Sequence, residues 1–396
     1  CKLIKNKVLI YGNQGFLATL SLDFKGVKLY IYYRSLWLLF CLGGINFMAV
    51  TKSAYGVMNG IPVSAFVIEN KNGLKAQIIE KGATLDKLFI KDKKGNLIDI
   101  LVGHDSLEGH VERGDYQGVV VGQYANRIKD GKFTIDGKEY NVTLNENGIT
   151  CLHGGGEYSS AVWQGEAIGD NAVKFTYHSP DGKEGFPGNV DVQVIYTFND
   201  NDELVLEYSA VSDKKTVINL TNHAYFNLNG FDSGDILNHI VTINADRYTP
   251  IDEISIPTGE LPSVEGTPFD FTEPKTIGRD IEADHPQIKN GNGFDHNFCI
   301  KDFDGTLKFA ASAIGDKSGI KMEVKTDLPG VQLYTGNFLN GTIAGKDGVL
   351  MTKRCAFCFE TQVFPDSPNH PEWHKCIYDA GEKYSTTTVF SFSVVD

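Results

Sequence analysis

The feature that most constrains this chain is a recurring alternation of apolar and polar residues in short runs, each closed by turn-forming residues. Val190, Val192, Val194, Tyr196 and Phe198 alternate with polar partners, and Leu204, Leu206, Tyr208 and Ala210 repeat the pattern after the polar stretch 199–202. Side chains of a strand point to opposite faces with a period of two, so each run presents one apolar face to a core. The two runs and their polar link read as a hairpin. A second hairpin is predicted where Phe133 and Ile135 lead into Asp136-Gly137 and then Tyr140 and Val142, because Asp-Gly suits a primed two-residue turn. Val173, Phe175 and Tyr177 mark a further strand. Long amphipathic helical stretches are hard to find, and only short helices are expected, near 106–112 and 275–283. Many short strands at close spacing imply an all-β sandwich or barrel. The 42 glycines and 11% aromatic residues lean the same way.

No composition break or flexible linker interrupts 48–396, so one large β domain is expected there. Residues 1–47 differ. They carry six basic side chains against one Asp, and their apolar part, including Leu36-Trp37-Leu38-Leu39-Phe40, is split by Arg34. The uninterrupted stretch falls short of the ~20 residues a helix needs to cross a bilayer. Basic residues ahead of an apolar run suit a signal peptide, but the preceding region is too long and no small-residue cleavage site comes after it. Residues 1–47 are read as an upstream segment outside the functional domain. The net charge is −13, and the acidic excess lies in residues 48–396. An acidic body repels nucleic acid and anionic lipid, so neither is an expected partner, whereas a neutral substrate is compatible. The seven cysteines form no small-domain framework, and reduced thiols in a cytoplasmic protein are the simple reading. Cys355 and Cys358 form a C-x-x-C without a second pair or a His-x-x-x-His, which argues against zinc. Their neighbours Ala356-Phe357-Cys358-Phe359 read as a buried strand.

Four places set an ionisable residue among apolar or glycine-rich neighbours, where burial shifts pKa values. They are Gly122-Gln123-Tyr124-Ala125-Asn126-Arg127-Ile128, Leu152-His153-Gly154-Gly155, the run from Asn219 through His223 and Tyr225 to Asn227, and Cys358-Phe359-Glu360-Thr361-Gln362. Taken singly, each also fits a structural role: a hydrogen-bonded strand histidine, a turn, a surface ion pair, a buried carboxylate beside a cation.

Taken together, these segments resemble the galactose mutarotase (aldose 1-epimerase) family in order and spacing. The resemblance rests on ANRI with Gly131, Phe133, Asp136-Gly137 and Tyr140 after it. It extends through CLHGG, SPDGKEGFPG (179–188), NLTNHAYFNL, GFDHNF (293–298), GVQLYTGNFL (330–339) and CFETQVFPDSPNHPEW. It spans roughly 55–395, and several long motifs in order are far more specific than a lone fingerprint. It implies a large antiparallel β-supersandwich with a groove on one sheet. It implies a mutarotase that interconverts the α and β anomers of free hexoses such as D-galactose and D-glucose, with no cofactor and no metal, as a monomer or homodimer. By this resemblance Glu360 is the catalytic base and His223 the catalytic acid, and Asn126, Arg127, His153, Tyr225, Asp295 and Gln332 bind sugar. One departure stands out: Gln123 occupies a position where the family usually has Arg.

The chemistry suits the residues. A pyranose opens when its anomeric hydroxyl loses a proton and its ring oxygen gains one, and a carboxylate facing an imidazole can do both. The alternatives are a hexose-6-phosphate epimerase, which needs extra cations, a glycosidase, which needs two carboxyls flanking one bond, and a non-catalytic sugar-binding protein on the same scaffold.

Overall fold

The computed structural model describes residues 2–4, 7–12, 15–23, 26–30, 49–112 and 116–395. The chain divides into two compact units, 1–47 and 48–396. The first contains strands Lys2–Ile4, Lys7–Gly12, Gly15–Asp23 and Gly26–Tyr30, paired antiparallel in sequence order. The apolar run at 36–40, too short to span a bilayer, lies outside the described residues. Among the described residues no helix is long and apolar enough to cross a membrane.

The second unit is built from antiparallel sheets. Nine strands run in the spatial order Gln164–Ile168, Ala172–Ser179, Val190–Phe198, Glu203–Ser212, Lys383–Val394, Ile320–Thr326, Lys308–Ile314, Ile240–Ile243 and Lys275–Thr276. A five-stranded meander runs from Ala49–Met58 to Leu97–Asp99. A four-stranded sheet carries Ala245–Tyr248, Asp295–Ile300, Gly330–Tyr334 and Cys358–Gln362 in that order. The period-two pattern explains the burial. Val190, Val194, Tyr196, Leu204 and Leu206 are fully buried on one face, and they share a core with Phe66 and Ile78 of the meander and Val331, Leu333 and Phe359 of the four-stranded sheet. Each fully buried side chain of this kind contributes about 1.5–3 kcal/mol over its exposed state.

Both predicted hairpins form. Phe198 pairs with Leu204, and Ile135 pairs with Lys138 across Asp136 and Gly137, whose φ values of 51° and 79° are those of a primed turn. The short helix expected near 106–112 is Leu107–Glu112. The helix expected at 275–283 does not form. Lys275–Thr276 pairs instead with Ile240 and Val241 at the sheet edge, and only a 3₁₀ turn, Ile277–Arg279, comes after it. Gly278 in the middle of the stretch weakens a helix, and its N–H bonds to Leu237 O instead.

Candidate active site

The site begins with an alternation in the four-stranded sheet. Along Cys358–Gln362, Phe359 enters the core while Cys358, Glu360 and Gln362 share the opposite face. Pairing places Gln332 between Asn297 and Glu360, and Tyr334 between Asp295 and Cys358. One sheet face is thus a polar grid, while its reverse carries Phe298, Val331, Leu333 and Phe359. Within the grid Gln332 Nε2 donates to Asp295 Oδ1 at 2.8 Å, and Gln362 Nε2 donates to Gln332 Oε1 at 3.2 Å.

His223 reaches this face from a neighbouring two-stranded pairing, Thr221–Asn222 with Val120–Val121. Its backbone is held on both sides, its N–H donating to Val119 O and its carbonyl accepting from Gly118 N, each at 2.9 Å. The ring stacks on Tyr225 at 5.0 Å and packs against His153 at 5.1 Å. Nε2 lies 3.6 Å from Glu360 Oε1. Glu360 Oε2 is buried and has no hydrogen-bond partner among the described residues.

The remaining wall comes from two segments that turn sharply. Asn126 and His153 adopt φ values of 63° and 51°. Asn tolerates that region because its short amide bonds locally; here Asn126 Oδ1 accepts from Arg127 N at 2.8 Å. Asn126 N donates to His153 Nδ1 at 3.2 Å. Gly154 is required by close approach, since a Cβ there would sit 2.2 Å from Gly122 O. Arg127 directs Nε and Nη2 to the two carboxylate oxygens of Glu146 at 2.8 and 2.7 Å, a bidentate fork.

These side chains line a cavity of about 580 Å³, within the range of small-molecule sites. Seven of the eight residues singled out from the sequence line it: Asn126, Arg127, His153, His223, Tyr225, Asp295 and Glu360. Gln332 does not; it lies beneath Asp295 and orients it. Burial dominates the electrostatics because it disfavours charge. It pushes Glu360 well above the usual carboxylate range, and nearby Asp295 adds to this while Arg127 opposes it. It lowers His223 to about 4. His153 is also pushed well down by burial, then by the neighbouring His223 and Arg127 charges. Asp295 is raised by burial against the pull of Arg127. Burial alone would lower Arg127, but Glu146 and Asp295 outweigh it and hold it charged.

A family model described as aldose 1-epimerase matches residues 64–391. The chain is 44% identical to galactose mutarotase of Bos taurus over 352 residues, which is 88% of this chain and 99% of that protein. It is 37% identical to aldose 1-epimerase of Escherichia coli K12, over 84% of this chain and 96% of that one. A solved GalM/aldose epimerase homologue from C. elegans superposes with a TM-score of 0.76 at 30% identity, covering 83% of this chain and 98% of that chain. The chain belongs to the aldose 1-epimerase family. Its all-β sandwich is the galactose mutarotase-like fold, and it is a carbohydrate isomerase whose substrate is a sugar.

In this aldose 1-epimerase, Gln123 is not part of the cavity. Its Nε2 donates to Thr216 Oγ1 and Val217 O at 2.7 and 2.8 Å, tying the segment before Asn126 to a neighbouring strand. Several cavity residues were not singled out from the sequence, among them Glu146, Tyr116 and Tyr334. Glu146 holds Arg127, while Tyr116 and Tyr334 pack on His223 at 6.0 and 6.2 Å. Glu146 lies in a polar loop that carries no signal of its own; only its partner reveals it. Folding of this epimerase also gathers His153, His223 and Glu360 so that one ligand-capable atom of each lies within 4.8 Å of the others. Sequence spacing could not show that cluster, because its members come from three distant segments. Its outer separation exceeds the roughly 3.3 Å between donors that metal–ligand bonds of about 2.0 Å imply in a tetrahedral zinc site.

Proposed function

We propose that this epimerase interconverts the α and β anomers of free hexoses such as D-galactose and D-glucose by acid/base ring opening between Glu360 and His223, without a metal. The observation that carries the reading is the buried carboxylate–imidazole pair, 3.6 Å apart, with one carboxylate oxygen in the cavity unpartnered among the described residues. Burial raises one group and lowers the other, so the pair holds a single proton between them over a wide pH range. One proton is what the reaction needs. By these shifts that proton rests on Glu360; once it has passed to His223 Nε2, 3.6 Å away, Glu360 takes the proton of the anomeric hydroxyl while His223 delivers one to the ring oxygen. Rotation about C1–C2 of the open aldehyde exposes its other face. Closure then runs the same transfers backwards with the roles exchanged. Arg127 and His153 stabilise charge shifting onto sugar oxygens, and Asp295, steadied by Gln332, accepts from hydroxyls.

The lining supports a neutral sugar over a phosphorylated one. Arg127 is the one Lys or Arg among the described lining residues, and its fork is already engaged by Glu146, while Glu146, Glu253, Asp295 and Glu360 are acidic. The test is polarimetry on fresh α-galactose and α-glucose with purified protein, with and without EDTA. Accelerated equilibration that is unchanged by EDTA supports the proposal. Loss in EDTA with recovery on adding a divalent ion would refute its metal-free part. Faster turnover of glucose 6-phosphate than of galactose would overturn the substrate assignment.

A further inference from the structure

The C-x-x-C pair leaves one residue with work to do. Cys358 and Glu360 are two apart on one strand and so share its polar face. His223 meets both. Its Nε2 looks to Glu360 Oε1 at 3.6 Å, and its Nδ1, on the opposite edge of the ring, lies 3.4 Å from Cys358 Sγ. We propose that Cys358 is a positioning residue for the reaction: its sulfur accepts the Nδ1–H of His223, so that Nδ1 keeps its proton and Nε2 alone exchanges protons with the sugar. This inference rests on the assignment of His223 and Glu360 as the proton-transfer pair.

An imidazole ring has two nitrogens, and here only Nε2 faces the carboxylate. A ring that both gives and takes at Nε2 cycles between the cation, protonated at both nitrogens, and the neutral form protonated at Nδ1 alone. The other neutral tautomer has no lone pair at Nε2 and cannot take a proton there. Nδ1–H therefore needs an acceptor in both working states. Cys358 supplies one that is buried and uncharged, and burial keeps its thiol protonated, well above the usual thiol range. The backbone carbonyl of His223 also favours the protonated ring, although burial is the larger effect and lowers it. His153 shows the contrast. Its Nδ1 receives the N–H of Asn126 at 3.2 Å, so neutral His153 carries its proton on Nε2. The two adjacent rings are set in opposite tautomers, one a fixed donor and the other a relay. A sulfur is a weak acceptor. It fixes the tautomer without drawing the ring into permanent charge, as a carboxylate at the same place would.

The test reads the tautomer directly. In full-length protein labelled with ¹⁵N-histidine, the ring signals missing from His223→Asn identify His223. The expected neutral form has a protonated Nδ1 and a bare Nε2; a bare Nδ1 with a protonated Nε2 overturns the proposal without any change at Cys358. Cys358→Val keeps the side chain apolar and close in size but removes the acceptor. It should lower kcat by about 10–100-fold, the size of effect seen when the outer partner of a metal-bound histidine is lost, with KM within about twofold. Cys358→Ser, whose hydroxyl also accepts, should restore most of the rate and the Nδ1-protonated signal. Cys358→Val that keeps kcat within about twofold and leaves the signal unchanged overturns the proposal. His223→Asn retaining the full rate sinks the underlying assignment instead.

Discussion

Two buried ionic clusters in this epimerase are made of similar groups and are built to opposite ends. Beneath the five-stranded sheet, Lys346 Nζ donates to Asp86 O, Asp99 Oδ2 and Leu101 O at 2.6, 2.7 and 2.9 Å. Asp99 Oδ1 accepts from Leu88 N and Leu101 N. Asp86 takes His110 Nε2 at 2.9 Å and Gln77 Nε2 at 2.7 Å. Burial alone would raise Asp86, but His110 and Lys346 hold it below the usual range; Asp99 is still raised by burial against the pull of Lys346, so what sets this cluster apart is its filled hydrogen bonds. In the cavity nothing comparable among the described residues compensates Glu360. The His223 nitrogen that faces it is 3.6 Å away, its second oxygen is unpartnered among the described residues, and its pKa goes up. A saturated cluster is structure. An unsaturated one, equally buried, keeps its bonding capacity for something that arrives.

The largest expected effect breaks the unsaturated cluster. Glu360→Gln or His223→Asn should lower kcat by about 10²–10⁴-fold, the usual share of a general acid or base, and the double variant should fall far short of the product. Stability should move the other way. The folded pKa of Glu360 is raised above its unfolded value, so the stability tied to its protonated form is present at low pH and lost as pH rises through the folded pKa. Gln escapes that loss, and at neutral pH the melting temperature of Glu360→Gln should equal or exceed the parent's by about 1–3 °C. A clear drop in Tm with near-normal turnover would make Glu360 a structural ion instead.

The pH profile of kcat/KM sharpens the same contrast. Below about pH 4, where His223 takes up its proton while Glu360 keeps its own, no base is left. Above the raised pKa of Glu360 no acid is left. A bell with its acid limb near pH 4 is expected, and an acid limb near the ordinary imidazole value of about 6.5 would contradict it. Breaking the saturated cluster should do the reverse. Asp99→Ala strands the Lys346 charge and two backbone N–H groups, and should cost about 3–5 kcal/mol of stability by chemical denaturation, while kcat of the folded protein stays within about twofold. Smaller still, Gln123→Arg should change kcat/KM by less than about tenfold, since Gln123 contacts the Thr216–Val217 strand and not the cavity. Finally, a chain beginning at Met48 should fold and keep full activity; an insoluble or inactive product would show that 1–47 belongs to the working domain.

Much of the fold was legible in the sequence because strand alternation is a local signal. Phe359-Glu360-Thr361 announces a carboxylate on one face of a buried strand, and Asp136-Gly137 announces its own turn. The helix expected at 275–283 shows the limit. A sheet edge offered Lys275 and Thr276 partners at Ile240 and Val241, some 35 positions back along the chain, and tertiary pairing overrode local pattern. The site was legible through its family motifs, not through pairings. Nothing local says that Glu146 forks onto Arg127, that Gln332 sits behind Asp295 instead of in the cavity, or that Cys358 reaches His223, because each contact joins segments that only the fold brings together.

The alternation along Cys358–Gln362 also works as a reading frame. A substitution there alters one side chain and leaves its neighbours on their faces. Insertion or deletion of a single residue between Cys358 and Glu360 shifts the parity of every later position in the strand. Glu360 and Gln362 would turn into the apolar core while Thr361 turned toward the sugar, and the hydrogen-bonded ladder to Gly330–Tyr334 could still zip up in the shifted register. The lineage can therefore explore this strand one letter at a time, while changes of length belong to the surrounding loops.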